Sequence, residues 1–146
     1  MERLQILETC LYAGDLEAAE RFYADVLGLQ PFAREFGRHV FFRCGDGVFL
    51  VFNPEATSRP PKPDARLRIP PHGARGPGHA AFAVPTDDLS GWRKRLEIAG
   101  IRIESEVDWP GGGHSIYFRD PAGNCIELAT PDIWSGDKYT QPVPLP

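Results

Sequence analysis

The sequence predicts an α+β fold made of two consecutive modules, each with one strand, one helix and three further strands. Three observations support this prediction. Strand-like and helix-like segments follow one another in the same order in both halves of the 146-residue chain. Each predicted helix ends at a glycine, Gly28 or Gly100, and each half has a glycine turn before its last strand. A repeat of about 75 residues indicates an internal duplication.

The first module spans residues 4–53. Asp15 is a typical N-cap residue, and the residues after it place apolar side chains on one face at helical spacing. The Cys44–Gly47 segment is a strong turn signal between the last two strands. In order, the expected elements are a strand over 4–13, a helix over 16–27 and strands over 29–35, 38–44 and 47–53.

The second module spans residues 78–130 and repeats this order. Residues 86–88 supply cap candidates for its helix. Phe41-Phe42-Arg43 of the first module is matched by Tyr117-Phe118-Arg119 of the second, each followed by a turn that ends in glycine. The expected elements are a strand over 78–84, a helix that ends near Ala99 and strands over 101–107, 114–119 and 124–129.

The two remaining segments are rich in proline. The connection, residues 54–77, contains seven prolines and is basic, so a solvated spacer and an active-site cover both remain open for it. The C-terminal tail, residues 131–146, is too rich in proline for regular structure. Its aromatic residues Trp134 and Tyr139 are expected to dock on the body or on a second subunit. We treat residues 1–146 as one domain.

Composition excludes several classes of function. A net charge of −4 gives no basic surface for nucleic acid, and no apolar run approaches the ~20 residues of a membrane span. The strand-like amino end does not resemble a secretory signal. The chain has three cysteines, Cys10, Cys44 and Cys125, which are widely spaced and do not suggest a set of disulfides. This pattern fits buried thiols in the reducing cytoplasm.

Three polar residues stand at equivalent points of apolar strands. Glu8 and His79 lie in the first strands of the two modules, and Glu127 lies in the last strand of the second. Because strand side chains alternate, each of the three faces away from the bulky apolar positions of its strand. Two carboxylates and an imidazole on such faces are costly unless something pairs them. A divalent metal ion is the simplest partner, and this donor set favours Mn, Fe, Ni, Zn or Mg.

Each assignment has an alternative. The alternative for Glu8 is a salt bridge with an arginine such as Arg119 or Arg43. His79 alone would suit a buried core position, and Glu127 would suit an edge strand. The first-module position that matches Glu127 is Val51, or Leu50 after a one-residue slip, and neither binds metal. The duplication thus predicts four symmetric positions, three of which carry ligands.

Two interpretations apply to the other histidines. His39 and His114 lie near the start of a strand in the two modules, and His114 follows the Gly111–Gly113 run. A proton-transfer role is one interpretation. A solvent-exposed loop position is the simpler one. The same two interpretations apply to His72 in the connection.

The chain resembles the vicinal oxygen chelate superfamily, which includes glyoxalase I, bleomycin-resistance proteins, fosfomycin-resistance proteins and extradiol dioxygenases. The motifs that carry the resemblance extend over most of the chain. They are Asp15-Leu16-Glu17-Ala18-Ala19-Glu20-Arg21-Phe22-Tyr23, Val26-Leu27-Gly28-Leu29, Gly78-His79-Ala80-Ala81-Phe82-Ala83-Val84 and Phe118-Arg119-Asp120-Pro121-Ala122-Gly123-Asn124-Cys125-Ile126-Glu127-Leu128.

This resemblance implies paired βαβββ modules that form a cup-shaped mixed sheet with helices outside. It places Glu8, His79 and Glu127 at metal-ligand positions and implies a homodimer. Glu8 stands where many members have histidine, and glyoxalase I has a fourth ligand where this chain has Val51 or Leu50. The facial two-histidine, one-carboxylate iron site of dioxygenases is not reproduced. Fosfomycin transferases are expected to resemble the chain only at the level of the fold.

The expected function is a metal-dependent lyase or isomerase of glyoxalase type that chelates vicinal oxygens of a small substrate. Glu127 and Glu8 would be its catalytic carboxylates, each able to carry a proton. The basic connection would suit an anionic substrate. A metal-free antibiotic-binding protein and a ring-cleaving dioxygenase are the two alternatives.

Overall fold

The protein is described by a computed structural model that covers residues 4–135. The chain divides into two units. Unit 1 comprises the residues up to Gly78 together with Asp120–Asn124, and unit 2 comprises His79–Arg119 together with the residues from Cys125 onwards. Each unit contains one four-stranded mixed sheet, so the predicted α+β class with two βαβββ modules is confirmed.

Unit 1 forms its sheet in the order β1-β4-β3-β2. Strand β1 pairs in parallel with β4, and the other pairs are antiparallel. Its elements are β1 (Glu8–Tyr12), α1 (Leu16–Arg21), a π-helical turn (Phe22–Val26), β2 (Gln30–Glu35), β3 (His39–Cys44), β4 (Gly47–Phe52) and α2 (Pro54–Thr57).

Unit 2 has the same strand order, β5-β8-β7-β6, with β5 parallel to β8. The shared order is what a duplicated module requires. Its elements are β5 (His79–Ala83), a 3₁₀ turn (Thr86–Asp88), α3 (Leu89–Ile98), β6 (Ser105–Asp108), β7 (His114–Arg119), β8 (Cys125–Ala129) and a second 3₁₀ turn (Pro131–Trp134).

Some element boundaries differ from the predictions. Strand β1 begins only at Glu8, because its partner β4 offers no residue before Gly47, and Leu4 and Ile6 are 100% and 86% exposed. Residues 131–134 form a 3₁₀ turn, since proline is well tolerated at the first helical position, so the prediction of an irregular tail is wrong there. Tyr139 lies outside the described residues.

The helix of unit 1 begins as predicted. The Asp15 side chain accepts a 2.9 Å hydrogen bond from the Ala18 amide. Its last turn widens to a π-helix, in which the Leu27 amide donates to the Phe22 carbonyl. Gly28 then adopts a positive φ of 74° and ends it.

In each unit the helix covers one face of the sheet. The Tyr23 ring of unit 1 packs 4.8 Å from Phe49 and 5.7 Å from Phe42. In unit 2, Ile126 and Leu128 are buried with Leu96 of α3. Alternation along the strands then turns the opposite faces away from these cores. Those faces carry Glu8 in unit 1 and His79 and Glu127 in unit 2.

A buried polar network surrounds Asp120 in unit 1. Its carboxylate accepts hydrogen bonds from the Tyr23 hydroxyl at 2.7 Å, from the Asn124 side chain and from the Ala122 and Asn124 amides. Burial, and then the neighbouring carboxylate, raise the pKa of Tyr23 far above its usual range. The Asp120–Asn124 segment thereby completes the core around the first helix of unit 1.

The Gly113 position restricts the glycine run before β7. Gly113 has a φ of +86°, and a Cβ there would lie 2.6 Å from the backbone nitrogen and Cγ2 of Ile133. Replacing it with alanine is expected to lower the free energy of unfolding by about 2–4 kcal/mol, because left-handed backbone and overpacking each cost about 1–2 kcal/mol or more. Chemical denaturation measures the change.

Gly37 provides the control. Its φ is +70°, but a Cβ there meets nothing within 4 Å. Gly37→Ala should therefore carry only the backbone cost of about 1–2 kcal/mol. Equal losses at the two positions would contradict the packing explanation.

No helix within residues 4–135 combines the length and apolarity that a bilayer crossing needs.

Candidate metal centre

His79 and Glu127 meet on neighbouring strands of unit 2. Strands β5 and β8 run in parallel with His79 opposite Cys125 and Ala81 opposite Glu127. The His79 Nε2 atom lies 3.2 Å from Glu127 Oε2. The Glu127 side chain is 7% exposed and that of His79 is 53% exposed, so the pair joins a buried carboxylate to an accessible imidazole.

A backbone hydrogen bond determines which nitrogen of His79 is available. The Nδ1 atom lies 3.0 Å from the Cys125 carbonyl oxygen. A carbonyl only accepts, so Nδ1 carries the hydrogen and Nε2 of the neutral ring holds the free lone pair. Metal-bound histidines are typically oriented by this kind of second bond.

Glu127 is oriented by a chain of donors from β7 and the preceding turn. The Ser115 hydroxyl donates to Glu127 Oε1 at 2.5 Å, and it accepts a 2.9 Å bond from the Trp109 indole. Tyr117 stands opposite Glu127, and burial together with this carboxylate raises its pKa. One oxygen of Glu127 is therefore fixed and the other faces His79 Nε2.

Glu8 is the first residue of β1, in unit 1, and is exposed. Both arginines considered as its partners have other contacts. Arg43 lies 4.0 Å over the Phe32 ring, and Arg119 binds Glu104 at 2.5 Å. Within residues 4–135, no group of three or more His, Cys, Asp or Glu side chains has the geometry of a metal site. A shared site for Glu8, His79 and Glu127 stays a prediction.

Strand pairing identifies the first-module counterpart of Glu127. Glu8 pairs with Val48, as His79 pairs with Cys125. Two residues further along the last strand of each unit lie Leu50 and Glu127. Leu50 is thus the equivalent residue and Val51 is not, since Val51 is in the core under α1. Leucine supplies no ligand at the fourth symmetric position.

The donor set of unit 2 fits a divalent cation. It presents one imidazole nitrogen with a fixed tautomer and one buried carboxylate oxygen, 3.2 Å apart. Each is a common ligand of first-row transition metals. A buried carboxylate is costly without a positive partner, and a cation between the two groups would provide it. The pair therefore supplies half of a metal site.

Asn124 links the residues that precede both ligand strands. Its side-chain oxygen accepts a 2.8 Å bond from the Gly78 amide, and its Nδ2 donates to the Tyr12 carbonyl at 3.1 Å. Gly78 directly precedes His79, and Asn124 lies three residues before Glu127. A Cβ on Gly78 would come within 2.7 Å of Leu11, so the close approach requires glycine.

The simpler interpretation, an exposed loop position, is wrong for His39 and His114, whereas His72 does lie in a loop and is half-buried there. His39 and His114 belong to β3 and β7, and each side chain is only 16% exposed. His39 stacks on Phe41 with ring centroids 4.0 Å apart. His72 pairs through Nδ1 with the Tyr12 hydroxyl at 2.8 Å.

His114 forms an ionic cluster in unit 2. Its Nδ1 lies 2.7 Å from Asp108 and its Nε2 lies 2.7 Å from Glu106, which also binds Arg93. The Asp108 hydrogen bond raises the pKa of His114 most, burial opposes it and Glu106 adds to it. Arg93 first, and His114 after it, lower the pKa of Glu106.

This cluster predicts a pH-dependent stability. Because folding raises the pKa of His114 above its ordinary 6.5, its stabilising effect is complete below that value and is lost as pH rises through the folded pKa. The free energy of unfolding should fall more between pH 6 and pH 9 in the wild type than in His114→Gln. Urea titrations at both pH values measure the free energy of unfolding. An equal decrease in the wild type and in His114→Gln would contradict this prediction.

Two contributors to the site were not identified in the sequence. Ser115 gave no signal because its bond to Glu127 depends on the pairing of β7 with β8. Asn124 lies in the Asp-Pro-Ala-Gly-Asn turn, a motif that was recognised without a role for its last residue. An asparagine directly before an apolar strand was the available signal.

Comparisons with known proteins identify relatives of the chain. The Serratia marcescens protein named glutathione transferase FosA is 32% identical over 119 residues, covering 81% of this chain and 74% of that protein. Biphenyl-2,3-diol 1,2-dioxygenase 3 of Rhodococcus globerulus is 33% identical over 144 residues, covering 89% and 70%. The FosA similarity is visible in sequence, so the expectation of a fold-level likeness alone is wrong.

A solved structure is similar over almost its whole length. The crystal structure described as lactoylglutathione lyase from Agrobacterium tumefaciens is 42% identical, with a TM-score of 0.84, and the match covers 92% of this chain and 98% of that one. The family model of the Glyoxalase/Bleomycin resistance protein/Dioxygenase superfamily matches residues 5–128. Together with the two βαβββ modules, these matches show that the chain belongs to the Glyoxalase/Bleomycin resistance protein/Dioxygenase superfamily.

Proposed function

We propose that the protein is a metal-dependent lyase or isomerase of glyoxalase type that acts on a small molecule with two neighbouring oxygens. The observation that carries this proposal is the His79–Glu127 pair, in which a backbone carbonyl leaves Nε2 available 3.2 Å from a buried carboxylate. Glu8 is the proposed third ligand. When bound, a divalent ion would polarise the two substrate oxygens as a Lewis acid.

The two carboxylates are suited to different tasks. The hydrogen bond from Ser115 and the burial of the Glu127 side chain hold Glu127 in place, which favours the role of a rigid ligand. Glu8 is exposed at the start of β1. We therefore assign proton transfer between neighbouring substrate atoms mainly to Glu8, with Glu127 as the second carboxylate able to take part.

A thiol transferase is the second candidate function. The strand register makes Leu50 the first-module equivalent of Glu127, so the chain lacks the fourth ligand of glyoxalase I. In addition, a relative that is 32% identical is named a glutathione transferase. In this reaction the thiol sulfur would form a bond to an electrophilic carbon of the substrate, the bond from that carbon to an oxygen would break, and the released oxygen would take up the proton lost by the thiol. The name of the lyase neighbour also contains glutathione, so both candidates predict a thiol-containing reaction.

Metal content tests the proposal first. We expect about one divalent ion per chain in the purified protein, with Mn, Fe, Ni, Zn or Mg as candidates. Elemental analysis of the wild type, His79→Ala and Glu127→Ala measures it, with circular dichroism to confirm folding. A folded wild type that takes up none of these ions would overturn the proposal in favour of the metal-free antibiotic-binding alternative.

Activity assays then separate the reactions. The reconstituted protein is tested with the hemithioacetal of glutathione and methylglyoxal, with glutathione plus an epoxide, and with catechol under oxygen. Thioester formation supports the lyase, and a glutathione adduct supports the transferase. Oxygen consumption with catechol alone would replace both with the ring-cleaving dioxygenase.

Three further properties belong to this proposal. We propose a homodimer, supported by the family resemblance and by the exposed apolar side chains of Leu4, Ile6 and Leu7, and sedimentation at micromolar concentration tests it. The free cysteines Cys10, Cys44 and Cys125 support a cytoplasmic location. The basic connection supports an anionic substrate such as a glutathione derivative.

A further inference from the structure

Five rings form a continuous aromatic face in unit 1. The face consists of Tyr12 of β1, His39 and Phe41 of β3, Phe52 of β4 and His72 of the connection. The His39 and Phe41 rings stack at 4.0 Å, Phe41 meets Phe52 at 5.4 Å and Phe52 meets His72 at 4.7 Å. Tyr12 closes the row against Phe52 at 6.4 Å and against His72 at 5.9 Å.

These rings are not part of the unit 1 core. The core lies on the other side of the sheet, where Val40, Phe42, Phe49 and Val51 are at most 2% exposed. All five members of the aromatic face are only half-buried. Aromatic rings that contact one another on a partly exposed sheet face offer a surface on which the ring of a ligand can pack.

The duplicated sheet provides an internal comparison. Strand pairing gives four of the ring positions an equivalent in unit 2. Ala83 is equivalent to Tyr12, Ser115 to His39, Tyr117 to Phe41 and Ala129 to Phe52. Unit 2 therefore builds the same sheet with three small residues at those four positions. The fold does not require bulky rings there, so their presence in unit 1 needs another explanation.

The chemistry of the face suits an uncharged ring. Within residues 4–135, His39 Nδ1 is buried without a hydrogen-bond partner, and the nearest carboxylate, on Glu35, is 3.7 Å away. The imidazole instead lies flat on Phe41, with only 12° between the rings. At one end of the row the Tyr12 hydroxyl and His72 Nδ1 form a 2.8 Å hydrogen bond, which gives the face one polar group.

The position of the face connects it with the proposed site. Glu8 and Tyr12 lie four residues apart on β1, so both side chains are on the same side of the sheet. His72 reaches the face because its amide donates to the Thr57 carbonyl at 3.0 Å, which anchors the connection. The connection therefore contributes a side chain to the surface and does more than span the two modules.

We propose that the substrate carries an aromatic ring, and that this ring packs on the aromatic face of unit 1. The inference rests on the proposed function, because it names the substrate class of that site. Stacking on Phe41 and Phe52, together with the larger apolar area that an aryl group buries, would favour an aryl substituent over a methyl group by more than about tenfold.

Matched substrates test this preference. The ratio of kcat/KM for the glutathione hemithioacetals of phenylglyoxal and methylglyoxal is measured for the wild type, Phe41→Leu and Phe52→Leu. We expect a wild-type ratio above about ten that falls at least fivefold in both variants. Phe36→Leu is the control, because Phe36 is fully exposed in the β2–β3 turn and outside the face, and its ratio should equal that of the wild type.

A binding measurement keeps this test independent of activity. Titration of the metal-free protein with 2-naphthol, followed by NMR, should shift signals of Phe41, Phe52 and His39, with weaker binding in Phe52→Leu. A ratio near one together with no shifts on these residues would overturn the inference and leave the lyase intact. Binding on the face without any lyase or transferase activity would overturn the proposed function and leave the inference intact.

Discussion

Replacing Glu127 with alanine is expected to remove metal binding and reduce any metal-dependent activity to background. The substitution deletes the buried carboxylate that faces His79 Nε2 at 3.2 Å. Loss of a residue that only orients a ligand costs about 10–100-fold in affinity, so loss of a charged ligand should exceed about 100-fold. Competition titration with a metal-sensitive dye measures the affinity, and Glu127→Gln should lose it to a similar degree.

Glu106 provides the matched control for this prediction. It is also a carboxylate of unit 2 that contacts a histidine, with Glu106 Oε2 lying 2.7 Å from His114 Nε2. It does not belong to the proposed site. Glu106→Gln should retain the wild-type metal content, and full metal binding by Glu127→Gln would contradict the ligand assignment.

Replacing Asp120 with alanine should cause the largest loss of stability, at least about 4 kcal/mol in the free energy of unfolding. The Asp120 carboxylate accepts bonds from Tyr23, Asn124 and the Ala122 amide, and Tyr23 is fully buried. Each hydrogen bond to a charged group contributes about 1.5–3 kcal/mol, and a buried donor left without a partner adds its desolvation cost. Urea denaturation measures the change.

A double-mutant cycle identifies the mechanism. Tyr23→Phe removes the hydroxyl that Asp120→Ala leaves without a partner. The double variant should therefore be more stable than the sum of the single losses predicts, by a coupling energy of about 1–3 kcal/mol. Strict additivity would mean that the Tyr23–Asp120 hydrogen bond does not explain the loss.

The fold was predictable because its signals are local and repeated. Helix ends at Gly28 and Gly100 and turns at matching points were enough to place eight strands and the two main helices. The start of β1 was not predictable, because Leu4 and Ile6 have strand-like composition and only the absence of a β4 residue before Gly47 leaves them unpaired. Local preference decides whether a segment suits a strand, whereas its partner decides where the strand ends.

The candidate site was predictable in part for the same reason. His79 and Glu127 were identified by type and alternation, and the structure places them 3.2 Å apart. Ser115 and His72 were not assigned their contacts, because a cross-strand hydrogen bond and a contact from a proline-rich connection have no periodic signature.

The position of the Asp120–Asn124 turn has a consequence for the history of the chain. Its residues group with unit 1, where Tyr23 and Tyr12 depend on them, although they lie between two strands of unit 2. A protein that consisted of the first copy of the repeat alone would lack Asp120, and the buried Tyr23 hydroxyl would have no acceptor. The two copies are therefore no longer interchangeable, and the first copy produced alone should be less stable because Tyr23 would lack its buried acceptor.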